Sequence, residues 1–196
     1  MHDTIAPVTD GRRRRGEDNR RKIVVALMEL VKAGHVAPTA EEVAARAIVG
    51  LRTVFRHFDD MESLYREIAQ EMESTVRPVV AKPFVSDDWR GRLDEIVIRR
   101  AAVFERIMPF KIAADYHRHQ SPFIRRGQAS FARLQRSILK GVLPPEMSTG
   151  ARFEALDMVM GFDSWRRLRR EQKLGIEEAR AVMSLAVEAL MGKRRL

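Results

Sequence analysis

Arg52, Thr53, Arg56 and His57 fall within the stretch LRTVFRHF, whose apolar members Leu51, Val54 and Phe58 recur at i, i+3 and i+7. That spacing gathers the apolar side chains on one side of a helix and leaves four hydrogen-bonding side chains on the other. The planar fork of an arginine can take both acceptors of a guanine edge, whereas a lysine offers only a point charge. These residues could therefore read base edges or hold phosphates. An isolated basic helix of this kind also describes an ordinary solvated face.

Asp115, His117 and His119 form a second constellation, of side-chain types that ligate metals. Residues two apart on a helix do not share a face, so only Asp115 and His119 can converge, and two ligands make an incomplete site. No metal or cofactor is expected. A metal-dependent helical enzyme using Asp115, His117 and His119 is the alternative reading. No serine or cysteine nucleophile motif and no phosphate-binding glycine loop accompanies it, so catalysis is not expected.

The elements around the basic stretch make it more specific. Thr39 followed by Glu42 is a capping box, which predicts a helix start. Val43, Ala44 and Ala47 then recur at helical spacing, and the alanines allow a second helix to approach closely. Ile48 to Gly50 is the expected turn. Two short helices so joined, the second with donors on its outer face, have the form that enters a DNA major groove.

Thr39 to Phe58 and the acidic helix start after it resemble the helix-turn-helix signature of the tetracycline-repressor (TetR) family. The matching residues are Ala44, Ala47, Val49, Thr53, Phe55, Arg56, His57, Phe58, Glu62 and Leu64. Four positions depart from the family pattern. Ile48 stands where a glycine is usual, Gly50 where a serine-like cap is, Phe55 where a tyrosine is, and Met61 where a lysine is. The resemblance implies double-stranded DNA as partner. Base contacts are expected from Arg52 and Arg56, with Thr53 and His57 in support, phosphate contacts from Arg20, Arg21 and Lys22, and further contacts from Thr39, Leu51 and Phe55. It also implies a repressor that responds to a small-molecule effector, with the helix after the motif carrying ligand-dependent movement.

Composition sets the bounds. The 196 residues suffice for a small domain and a larger one, and no run of about 18 apolar residues could span a membrane. Met1 to Asp10 lacks the apolar stretch of a secretory signal, so a soluble protein in the cytoplasm is expected. Cysteine is absent, which excludes disulfides and thiol chemistry. The net charge is +9, and residues 11–57 hold 11 basic and 5 acidic residues, a local basic front that can steer the domain onto a polyanion. A basic helical interaction module is a further alternative.

Taken in order, residues 1–16 have no hydrophobic periodicity and read as a flexible basic arm. A first helix is predicted over 17–32, with Ile23, Leu27, Leu30 and Val31 inward and Gly34 as its stop. Arg20, Arg21 and Lys22 then fall in its opening turns, against the helix dipole, which favours nearby phosphate. A fourth helix follows the motif to about Val76, so residues 17–77 form the DNA-binding domain with its connecting helix, and Pro78 and Pro83 mark the boundary. Residues 84–196 form the regulatory and dimerisation domain. Arg99 and Arg100 are assigned to the polar side of its first helix, and Pro109 is expected to break or kink the chain. Phe104, Met108, Phe110, Tyr116, His117, Phe123, Phe131 and Trp165 are candidates to line a ligand pocket, with Arg99 among the polar anchors.

A long helix is predicted from Ala151 to about Lys173, followed by a last one from Ile176 to Met191. Helices with more than one apolar stripe have more surface to bury than one neighbour covers, so Met158, Phe162, Trp165, Val182, Leu185, Ala186 and Leu190 are candidates for a dimer interface. The resemblance implies a homodimer through the last two helices, and a palindromic site needs two matched heads. The expected fold is all-α: an N-terminal three-helix helix-turn-helix domain followed by a larger helical ligand-binding and dimerisation domain, about nine helices in total.

Overall fold

The structure, a computed structural model, describes residues 9–119 and 121–192. Among them the chain is all-helical, with nine α-helices and no strand. These are α1 (Thr9–Lys32), α2 (Ala40–Ala47), α3 (Leu51–His57), α4 (Met61–Ala81), α5 (Trp89–His117), α6 (Pro122–Val142), α7 (Gly150–Val159), α8 (Phe162–Arg166) and α9 (Ile176–Met191). A turn of 3-10 helix precedes α7 and a π-helical turn, Arg167–Glu171, follows α8.

The chain divides into two compact units. One comprises the residues through Glu73 together with Pro109–Ser121; the other comprises Ser74–Met108 and the residues from Pro122 onward. Helices α4 and α5 therefore each contribute to both. The division departs from a boundary at Pro78–Pro83: α4 runs on to Ala81 with Pro78 inside it.

Helix α1 begins at Thr9, not at Glu17, so residues 9–16 are helix and not an arm; residues 1–8 of the expected arm lie outside the described residues. Arginine and glutamate are good helix formers, and Arg13 meets Glu17 at 3.2 Å one turn on. A helix held by propensity and surface pairs leaves no hydrophobic period to read. The early start also moves Arg20, Arg21 and Lys22 to mid-helix, where the dipole exerts no penalty, so that argument for phosphate contact falls away.

The first unit is built on one apolar cluster in which Ile23, Leu27 and Val31 of α1 meet Val43, Ala44 and Ala47 of α2, Val54 of α3, Phe58, and Leu64, Tyr65 and Ile68 of α4. Phe110 and Ala113 complete it. Pro109 does not end a helix: α5 is continuous from Trp89 to His117, and the division between units falls at this proline instead.

In the second unit Phe104 is central, edge-on to Phe162 at 5.6 Å between ring centroids and 6.5 Å from both Phe131 and Trp165. The expected helix over 151–173 is interrupted at Gly161. A Cβ there would lie 3.1 Å from the Met158 carbonyl oxygen and 3.2 Å from that of Asp157, so only glycine fits at this break without adjustment of its neighbours. Glu105 of α5 then clamps the following segment. It accepts from the Trp165 indole at 2.8 Å and from Arg169 Nε at 2.8 Å and Nη2 at 3.2 Å. Arg169 is thus an internal tie between α5 and the segment after α8.

Candidate nucleic-acid interface

Thr39 caps α2 as its sequence predicts: its hydroxyl accepts from Glu42 N–H at 3.2 Å, and its own N–H donates to the Glu42 carboxylate at 2.7 Å. Four small or branched residues of α2, Ala40, Val43, Ala44 and Ala47, are buried, and α3 packs against this helix. The turn is closed by Ile48 in the left-handed region, φ 55° and ψ 48°, with the Val49 N–H bonded to the Ala44 carbonyl at 3.0 Å. A β-branched residue is strained in that conformation. Gly50 starts α3 without a side-chain cap.

Helix α3 is anchored by Val54, 2% exposed, and by Phe58 just after it, 3% exposed. Its outward face presents Arg52, Phe55 and Arg56, with Leu51 also exposed at the first turn and Thr53 half-buried. Leu51 is therefore not one of the inward anchors, and the structure places the arginine pair and the phenylalanine on one accessible surface.

His57 is turned the other way. Its ring lies near Gly16 of α1, its Nε2 is buried without a hydrogen-bond partner, and burial, then Arg56 and Arg20, lower its pKa. It is therefore neutral at neutral pH, and its place is against α1 rather than on the outward face.

Arg20 is likewise occupied. Nη1 donates to the His57 carbonyl at 2.9 Å, Nη2 meets Glu67 at 2.6 Å, and the guanidinium stacks over the Phe58 ring at 4.4 Å. It latches α1 to the C-terminal end of α3 and to α4, so it positions α3 and its charge is already answered within the unit. Arg21 and Lys22 are exposed.

In the second unit, a cavity of 350 Å³ is lined from α5 by Ile96, Arg99, Arg100, Val103 and Phe104, and from α6 by Phe131, Leu134, Gln135, Ile138, Gly141 and Val142, with Val80 and Phe84 beside them. Of the sequence candidates Phe104, Phe131 and Arg99 line it. Met108 is buried but outside the lining, Phe123 is half-buried and outside it, and Trp165 is fully buried and bonded to Glu105. Phe110 belongs to the core of the first unit, Tyr116 is exposed, and His117 packs on Tyr65 at 4.8 Å in that same unit.

Arg100 is 6% exposed and not on a polar face. The signal was present: Leu93, Ile96, Val97, Arg100 and Phe104 fall on one helical stripe. Among the described residues no three of His, Asp and Glu are grouped as a metal site would need. No described helix is long and apolar enough to cross a membrane.

Of the interface candidates, Met158, Val182 and Leu185 are exposed, Ala186 and Leu190 are half-buried, and Phe162 and Trp165 are buried in their own unit. The last two cannot meet another subunit without unpacking that core.

The chain has the fold of a solved bacterial protein, the putative transcriptional regulator SCO7518 from Streptomyces coelicolor A3(2). The match has a TM-score of 0.59, covers 86% of this chain and 97% of that one, and runs at 18% identity. At such identity the likeness is one of fold. No family model matches the chain, and no curated protein matches it.

Proposed function

We propose that the chain is a sequence-specific, DNA-binding transcriptional regulator of the tetracycline-repressor kind, a cytoplasmic homodimer that represses from a palindromic site and releases it on binding a small molecule. It is a regulator and not an enzyme. The observation that carries this reading is the outward face of α3, where Arg52 and Arg56 stand free beside Phe55 on a helix fixed by Val54, Phe58 and Arg20. A short helix so held, following a capped helix and a tight turn, can enter a major groove and offer two bidentate donors to guanine edges. The regulator-like neighbour in fold supports it.

The cavity in the second unit supports effector binding, and α4 and α5, each contributing to both units, give a covalent route by which the effector acts. The effector needs no contact with DNA. It need only bind DNA-competent and incompetent dimers with different affinity.

Selection of bound duplexes from a random library tests the reading, with the winner compared against scrambled DNA over a salt series. An inverted repeat strongly preferred over scrambled DNA is expected. Arg52→Ala should relax discrimination at one base pair and cost about 1 to 3 kcal/mol on the selected site. Steeply salt-dependent binding with no consensus would reduce the protein to a polyanion binder.

A further inference from the structure

The cavity in the second unit is apolar along most of its wall, where Val103, Phe104, Leu134 and Ile138 face it. Its two arginines differ sharply in how their charge is answered. Arg99 pairs with Glu95 at 2.9 Å, donates to the Pro83 carbonyl at 2.7 Å and to that of Lys82, and stacks over Phe84 at 4.3 Å.

Arg100, buried to 6% exposure, has only carbonyls: Nη1 donates to Met160 at 2.9 Å and Nη2 to Gln135 at 2.7 Å. No carboxylate among the described residues lies within ion-pair distance of it. Asp157, the acid that acts on it from further off, is itself paired with Arg136 at 3.0 Å. Burial draws the Arg100 pKa down to about 10, which leaves it charged at neutral pH.

A guanidinium has five N–H donors, and two bonds to neutral carbonyls leave donors unmet and the charge without a directly paired acid. A cation out of water without a counter-charge is unfavourable, so a ligand that brings one gains by relieving it. One unanswered charge calls for one negative charge. The planar fork matches a carboxylate, and apolar walls suit a hydrocarbon body.

We infer that this cavity takes a hydrophobic monocarboxylate, its carboxylate on Arg100 and its hydrocarbon portion along Val103, Phe104 and Ile138. The inference rests on reading the cavity as the effector site and names the chemical class of the effector. An amine of the same shape meets like charge, and an alcohol leaves the guanidinium without its counter-charge.

Calorimetric titration of the full chain with decanoate, decanol and decylamine tests it. Decanoate should bind about ten- to a hundredfold more tightly than decanol, the range set by a hydrogen-bonded charge pair, and decylamine should not bind. Arg100→Met should erase the preference for the acid. Because Arg100 also ties α5 to two carbonyls, Ile138→Trp is the companion variant: it fills the cavity, leaves Arg100 in place, and should abolish decanoate binding with the helical circular dichroism unchanged.

Absence of decanoate binding, equal binding of decanol, or decanoate binding undiminished in Ile138→Trp would each overturn the assignment. Operator affinity measured with and without decanoate separates the two readings. Binding of decanoate without release of DNA keeps the acid site and removes its effector role, whereas release by alcohols or amines keeps an effector role and removes the acid preference.

Discussion

Ile48 holds a left-handed backbone at φ 55° while its side chain is 92% exposed. Nothing is buried there that a smaller residue would lose, and glycine adopts this conformation without the clash of a Cβ. Ile48→Gly should therefore raise stability by about 1 kcal/mol, partly offset by the greater freedom of glycine in the unfolded chain, and a urea midpoint would measure it. A lower midpoint would mean that the side chain makes contacts its exposure does not suggest. Residue type alone misplaces two other residues, Arg20 and Arg100. Both are arginines on apolar stripes, Arg20 with Ile23 and Leu27, Arg100 with Ile96 and Phe104. The stripes are legible in the sequence and point both arginines inward, but the expectation followed their charge, which placed Arg20 on phosphate and Arg100 on a polar face. Position decides, because each guanidinium finds carbonyls where the stripe points it. His57 is the reverse case: its packing depends on α1 passing Gly16 close by, which no local pattern records.

At the scale of elements, α2 and α3 were readable because their ends are written in side-chain chemistry: the Thr39–Glu42 box, the turn at Ile48 and the Val54–Phe58 anchor. The start of α1 was not, since propensity and an Arg13–Glu17 pair carry no hydrophobic period. The break at Gly161 leaves no mark in the pattern, because the apolar stripes continue through it while the Asp157 and Met158 carbonyls crowd the position. Orientation of α3 depends on Arg20, which joins three elements through one side chain. Arg20→Met keeps the aliphatic stem and removes the latch. It should cost about 1 to 2 kcal/mol, given a charged hydrogen bond and a half-exposed ion pair, and under the proposed function it should weaken operator binding without removing any of the proposed base contacts. Chemical denaturation alongside DNA titration checks both; unchanged stability would mean that α3 is held by Val54 and Phe58 alone.

For the whole molecule, the exposed Met158, Val182 and Leu185 mark the surface by which two copies would meet under the proposed function. Leu185→Arg adds a charge at a position already 68% exposed, so it should leave the monomer folded while splitting the dimer. Sedimentation with and without the substitution decides this, and a dimer that persists would place the interface elsewhere. Two apolar stripes on these helices were visible in the sequence, but not which one the chain keeps for itself; Phe162 and Trp165 go inward because Phe104 and Glu105 receive them. Helix α5 has its own consequence at this scale. It is one continuous helix, yet residues from Pro109 onward belong to a different compact unit from those before it. Proline offers no N–H at that point, so the hydrogen-bonded ladder lacks a rung where the units divide. Deuterium uptake along α5 should therefore show two rates rather than one, amides up to Met108 exchanging with the opening of one unit and those from Phe110 with the opening of the other. A urea series would then bring the two halves of a single helix to exposure at different concentrations, a clock with two hands on one rod.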